Sequence, residues 1–140
     1  MRILDVLKVA SSALKAQRTR MEVIASNLAN IHTTRTEKGG PYRKKEVVFK
    51  SERVGSFGDR LEEAVRGVKV EEIRESRKPF EQVYDPTHPD ADALGYVWLP
   101  NVNLVEEMTD MILAARSYEA NLNVINVTKE MFLKSLEIVR

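Results

Sequence analysis

His88 with Asp85, Asp90 and Asp92 is the cluster in this chain whose residue types have metal-ligand character. Pro86 and Pro89 restrict the backbone around it and hold these side chains splayed. No second histidine is near enough in sequence to complete a transition-metal set. Two readings stand: a metal-dependent enzyme built on His88 and its acids, and a structural turn, which the residue count favours. Catalysis has little else to draw on. The only other histidine is His32, and no serine sits in a nucleophile elbow. The absence of cysteine removes disulfides, thiolate zinc sites and cysteine nucleophiles together. There is no phosphate-binding glycine-rich loop of the P-loop or dinucleotide type. The expectation is therefore no cofactor, no small-molecule substrate and no catalytic residue.

The basic clusters are Arg43-Lys44-Lys45 and Lys15, Arg18 and Arg20. They come without aromatic partners or a recognisable module, in a chain whose net charge is only +1. Solvated faces or subunit contacts are expected rather than a nucleic-acid surface. Asn30 suits a helix C-cap, since asparagine tolerates the left-handed conformation. Asn27 is placed to point its amide across to the partner helix, satisfying backbone groups where the chain leaves the helix.

The elements that must position these residues follow from periodicity. The length of 140 residues is one domain's worth, and 43% hydrophobic with 31% charged residues marks a folded chain. No apolar run approaches the roughly 20 residues of a membrane span. Met1-Arg2-Ile3-Leu4-Asp5 carries charge throughout and lacks the apolar core of a signal peptide. From Ile3, apolar residues fall at steps of four and three: Ile3, Leu7, Ala10, Leu14, Met21, Ile24, Leu28 and Ile31, with only Gln17 breaking the series. That is a heptad seam, and it predicts a helix over about 3–30.

A second seam runs through Leu104, Met108, Met111, Ala115, Tyr118, Leu122, Ile125, Phe132, Leu136 and Val139, with Lys129 its one polar member. Pro100 stops what precedes it, and Asn103 with Glu106 reads as a capping-box-like start. Val6, Val9, Ala13, Ala25, Ile112, Leu113 and Leu133 lie off the seams and widen the apolar surface. Either the middle region covers these flanks or neighbouring subunits do.

The middle is a different kind of sequence. Gly39-Gly40-Pro41 makes a turn; Tyr42 to Phe49 reads as a strand, and Val68, Val70 and Ile73 mark a second. Phe80 to Tyr84 and Gly95 to Leu99 are two further short strands, with a loop expected over 51–59 and an unplaced segment over 50–66. The fold class expected is mainly α. Long N- and C-terminal helices pair as a coiled-coil-like hairpin, with a small β-rich insert between them. Residues 1–34 and 103–140 form the discontinuous helical domain and 35–102 the insert. Charge is segregated along the chain, with balances of +3, +4, −7 and +1 over 1–34, 35–78, 79–112 and 113–140. This opens the alternative of subunits stacking basic band on acidic band.

Ala25-Ser26-Asn27-Leu28-Ala29-Asn30-Ile31-His32-Thr33-Thr34 resembles a signature of bacterial flagellar rod and hook proteins, carried by Ser26, Asn27, Leu28, Ala29, Asn30 and Thr33. Arg35 to Arg43, Val83 to Asp92 leading through Gly95 to Asn103, and Glu106 to Asn121 narrow the resemblance to proximal-rod members of that family. The resemblance implies an enzymatically silent building block of the basal body, polymerising into the shaft that transmits torque. It implies a periplasmic location reached through the flagellar type III export apparatus without signal cleavage. The partners implied are copies of itself, other rod proteins, rotor-ring or adaptor proteins at the rod base and the export apparatus. A soluble helical-hairpin adaptor that binds a partner's helix is the alternative. The seams supply an assembly mechanism, since contacts between unlike faces need not close and so propagate. An isolated hairpin of this kind is expected to be loose before assembly.

Overall fold

The computed structural model describes residues 3–53 and 65–138. Its order is α1 (Ile3–Ala29), β1 (Lys45–Arg53), β2 (Arg66–Glu75), β3 (Glu81–Tyr84), β4 (Tyr96–Leu99) and α2 (Leu104–Ile138). Two long helices therefore flank a small antiparallel insert. α2 has 35 residues, a rod of about 53 Å at 1.5 Å per residue.

Asn103 starts α2 as expected, its Oδ1 accepting from the backbone N–H of Val105 at 2.9 Å and of Glu106 at 3.1 Å. The reciprocal half of a capping box is replaced, because Glu106 Oε2 faces Lys78 Nζ at 3.7 Å and Lys44 Nζ at 3.9 Å instead. α1 ends one residue earlier than expected, and the left-handed cap is not used: among the described residues no residue other than glycine has positive φ. The Asn30 side-chain amide donates instead to the Ser26 carbonyl at 2.8 Å, adding a second bond to the one that carbonyl accepts from the Asn30 N–H at 3.2 Å.

The insert is two separate two-stranded sheets, β1–β2 and β3–β4. β1 begins three residues later than the expected Tyr42, because residues 42–44 are held elsewhere. Tyr42 N–H donates to Thr33 O at 2.9 Å and Lys44 N–H to Asn101 Oδ1 at 2.7 Å. β1 also runs through Arg53, so residues 51–53 of the expected loop are strand, while 54–59 lie outside the described residues. On β2, Ile73 and Val70 have opposite parity and would face opposite ways on a regular strand. The ladder shifts register between Val48 and Phe49, pairing Val47 with Ile73 and Phe49 with Val70. That bulge returns both apolar pairs to one face. β2 also ties to α1, Val68 N–H donating to Ser12 Oγ at 3.1 Å.

The segment before β4 is a chain of turns. Asp85 Oδ1 accepts from Thr87 N–H and hydroxyl at 3.0 and 2.6 Å, and these bonds hold its carboxyl below the usual carboxylate range. His88 Nδ1 accepts from Asp90 N–H at 3.1 Å, and Asp92 Oδ1 accepts from the N–H groups of Leu94 and Tyr96 at 2.8 and 2.9 Å. Gly95 has φ +82°, and a Cβ there would lie 2.9 Å from the Tyr84 ring. Here glycine is required twice over, by conformation and by space. Tyr84 and Tyr96 pack edge to face with centroids 5.3 Å apart.

The core is thin. Its buried apolar residues are Ala10, Ala16, Val23, Ile24, Tyr42, Val97 and Ala114. The insert covers part of the α1 flank, leaving Val6, Val9 and Ala13 half-buried, whereas Ala25, Ile112, Leu113 and Leu133 are exposed. No helix among the described residues is long and apolar enough to cross a membrane.

Candidate functional site

Two features are built where the terminal helices meet. The first is a buried polar cluster at the C-terminal end of α1. Asn27 is 1% exposed, and its carboxamide uses all four of its hydrogen-bonding positions. Oδ1 accepts from the Lys45 N–H at 2.9 Å and from the Tyr42 hydroxyl at 3.0 Å. Nδ2 donates to the Lys45 carbonyl and to Glu107 Oε2, both at 2.9 Å. The side chain thus pairs with Lys45 as a neighbouring strand would, while its second N–H reaches α2.

Glu107 is also 1% exposed, so its charge requires compensation. Lys44 Nζ lies 2.6 Å from its Oε1 and is the partner of that oxygen among the described residues. Burial pulls the Lys44 ammonium down, but the bond and charge of Glu107, with Glu106 and Asp110, outweigh it and hold the group above the ordinary 10.5. Asp110 in turn accepts from Arg20 Nη2 at 3.1 Å. Three acids of the negative band therefore meet Arg20, Lys44 and Lys78 of the two basic blocks within one chain.

Of the expected motif residues, Asn27 is part of this cluster and Ser26 borders it. Ser26 Oγ lies 3.3 Å from the Tyr42 hydroxyl. Thr33 Oγ1 donates to Asn30 Oδ1 at 3.1 Å. Leu28 is half-buried and Ala29 exposed. Of the basic clusters, Arg43 stacks 4.2 Å over the Phe80 ring centroid and donates to the Ser76 carbonyl at 3.0 Å. Arg18 pairs with Glu22 at 3.1 Å and Lys15 faces solvent. Among the described residues no group of three His, Asp or Glu side chains is placed to hold a metal, and the expected cluster around His88 spends its acceptors on turns.

The second feature is the distribution of the seam residues. On α1, Ala10 and Ile24 are buried, Leu7, Leu14, Met21 and Leu28 half-buried, and Ile3 exposed. Gln17 is half-buried with its Oε1 shielded and without a hydrogen-bond partner among the described residues. On α2, Met111, Ala115, Tyr118 and Ile125 are half-buried. Leu104, Met108, Leu122, Phe132 and Leu136 are between 43% and 53% exposed, and Val139 lies outside the described residues. The residues that α2 buries within the chain are Glu107, Ala114 and Thr128, each one position before Met108, Ala115 and Lys129.

Lys44, expected on a solvated face or subunit contact, is instead buried against Glu107, and the sequence did not mark Glu107 or Tyr42 as its neighbours. The available signal was the heptad spacing of Glu107, Ala114, Asn121 and Thr128, which is small and polar rather than apolar.

α2 thus leaves large apolar residues exposed along its length, and an exposed apolar surface of that extent marks an interaction surface. Comparison with known proteins gives the chain's class a name. The family described as "Flagella basal body rod protein" matches residues 7–35, and that described as "Flagellar basal body rod FlgEFG protein C-terminal" matches residues 93–138. These are the two terminal-helix regions. The chain is 45% identical to the flagellar basal-body rod protein FlgC of Borreliella burgdorferi, covering 100% of this chain and 99% of that one. It is 48% identical to the FlgC protein of Bacillus subtilis, covering 94% and 95%, and 44% identical to that of Salmonella typhimurium, covering 99% and 98%. The chain belongs to the flagellar basal-body rod proteins and, within them, to the FlgC family. It is a structural protein of the rod, not an enzyme.

Proposed function

We propose that this chain is a subunit of the proximal rod, which polymerises through its terminal helices into the torque-transmitting shaft in the periplasm. The observation that carries this reading is the outward face of α2. Met108, Leu122, Phe132 and Leu136 are exposed along a single helix, in a family of rod proteins. A stripe of that length left wet is costly at about 25 cal/mol per Å² of apolar surface, so a neighbour covering it gains correspondingly. In this reading the two helices pair as a coiled coil near the polar cluster and complete their seams with the helices of adjacent subunits. Such contacts join unlike faces and extend as a helical tube.

The partners proposed are further copies, other rod proteins and the ring or adaptor proteins at the rod base. Delivery through the flagellar type III export apparatus without a cleaved signal peptide belongs to the same reading. The far half of α2, where Val127, Met131, Phe132 and Leu136 are all exposed, is the part that orders on assembly, since a long helix draws most of its stability from packing.

The test is Leu122→Asp, with Leu28→Asp beside it. Leu122 is exposed, so the free chain keeps its fold while the assembled contact receives a buried charge. Loss of motility with no rod beyond the rotor ring is expected. Normal swimming in both variants would refute the assembly seam.

A further inference from the structure

The face that α2 turns toward α1 has little shape to distinguish one alignment from another. Besides Glu107, its buried residues are Ala114 and Thr128, and the buried apolar residues of α1 are Ala10, Ala16, Val23 and Ile24. Glu107, Ala114, Asn121 and Thr128 recur every seven residues. A slide by one heptad therefore sets a small side chain where a small side chain stood. Beside these small residues Met111, Tyr118 and Ile125 are only half-buried, and Met108, Leu122, Phe132 and Leu136 are exposed. Apolar packing of such a seam discriminates weakly between registers.

The polar cluster discriminates strongly. A heptad slide would carry Glu107 about 10.5 Å along the axis from Asn27. It would strand a carboxylate and a carboxamide that are each 1% exposed, together with the largely buried Lys44 ammonium. The cluster also contains more than the two helices. Asn27 exchanges both a donated and an accepted hydrogen bond with the Lys45 backbone, and Tyr42 closes on the same carboxamide oxygen. Its bonds are complete only when residues 42–45 of the insert are seated.

We infer that Asn27, Glu107, Lys44 and Tyr42 form a register lock, through which the start of the insert selects one alignment of α1 against α2. A single buried polar residue in a helix seam is known to set register in this way. The consequence for assembly rests on the rod-subunit reading: the insert, by fixing the alignment, sets the height at which the outward α2 residues meet a neighbour.

The chain has no cysteine, so spin labels at Lys8→Cys and Arg116→Cys, both exposed positions, report the alignment of the free protein by pulsed electron resonance. The unaltered background should give a single narrow distance. Asn27→Leu should add a second population, shifted by several ångströms as a heptad slide of about 10.5 Å requires. If Asn27→Leu fails to fold, Glu107→Gln, which keeps shape and removes charge, should produce the second population instead. Val23→Ala, which opens space in buried α1 packing and removes none of the cluster's hydrogen bonds, should keep one distance.

A folded Asn27→Leu or Glu107→Gln with one unshifted distance would overturn the lock. So would several distances in the unaltered chain, or an equal spread in Val23→Ala. Incorporation into basal bodies separates the readings. A sliding variant that builds a normal rod overturns the consequence for assembly. An unaltered chain with one distance that is absent from the rod refutes the rod-subunit reading and leaves the lock standing.

Discussion

Removing Lys44 should cost more than removing Lys44 and Glu107 together. Glu107 is 1% exposed and its Oε1 faces Lys44 Nζ at 2.6 Å. Lys44→Met leaves that carboxylate buried and unpaired, which destabilises by about 3–5 kcal/mol. Glu107→Met is milder for the cation. Lys44 still has Glu106 Oε2 at 3.9 Å, on a side chain 55% exposed, but Asn27 Nδ2 loses an acceptor, worth about 1–3 kcal/mol. In the double variant neither charge remains, and only the unmatched Asn27 N–H is left, again about 1–3 kcal/mol. The double should therefore be more stable than Lys44→Met alone, with a coupling of a few kcal/mol. Urea unfolding followed by far-ultraviolet circular dichroism reads this directly, because the two helices dominate the signal. Losses that add within about 0.5 kcal/mol would refute the buried pair as a coupled unit.

The remaining predictions rest on other observations. Lys44 is held above its ordinary value of 10.5 in the folded chain. Its contribution is fully present below that value and is lost as pH rises through the raised one; thermal melts of the unaltered protein should weaken on that alkaline limb, with Lys44→Met showing a flatter one. Gly95→Ala should destabilise the β3–β4 hairpin by about 1–3 kcal/mol, because φ is +82° and the new Cβ would meet the Tyr84 ring at 2.9 Å. Fluorescence of Trp98, the one tryptophan, reports it during urea unfolding; an unchanged midpoint would contradict the assignment. His88→Ala should leave swimming intact, since the ring serves a turn through Asp90 N–H. Loss of motility in that variant would assign His88 a role the turn does not explain.

The order of elements was legible because it depends on local pattern. Steps of four and three placed both helices, Asn103 marked the start of α2, and the alternation of Val68 and Val70 marked β2. Phase was harder. Met111, Tyr118 and Ile125 turn partly inward as their spacing suggests, yet the fully buried positions are Glu107, Ala114 and Thr128. Apolarity signals burial somewhere, and in a chain whose outward face is rich in leucine and methionine it does not say against whom. The place of Asn27 at the helix end predicts an amide pointing across to the partner helix, and it does reach Glu107 on α2. Glu107 itself read as an ordinary first-turn acid. A buried acid becomes visible only through partners, and those partners, Asn27 and Lys44, stand 80 and 63 positions away in sequence.

The structure divides α2 into two regimes. Near its start, Glu107 and Asp110 bind it to α1 and the insert through charged contacts. Toward its end, Met131, Phe132, Leu133 and Leu136 are exposed.

Cryo-electron microscopy of basal bodies from the source cell tests this most directly. This chain should appear in the rod density, with Met108, Leu122, Phe132 and Leu136 covered by adjacent helices and the Asn27–Glu107 contact intact. Rod density that lacks this chain, or places that stripe of α2 against solvent, would contradict it.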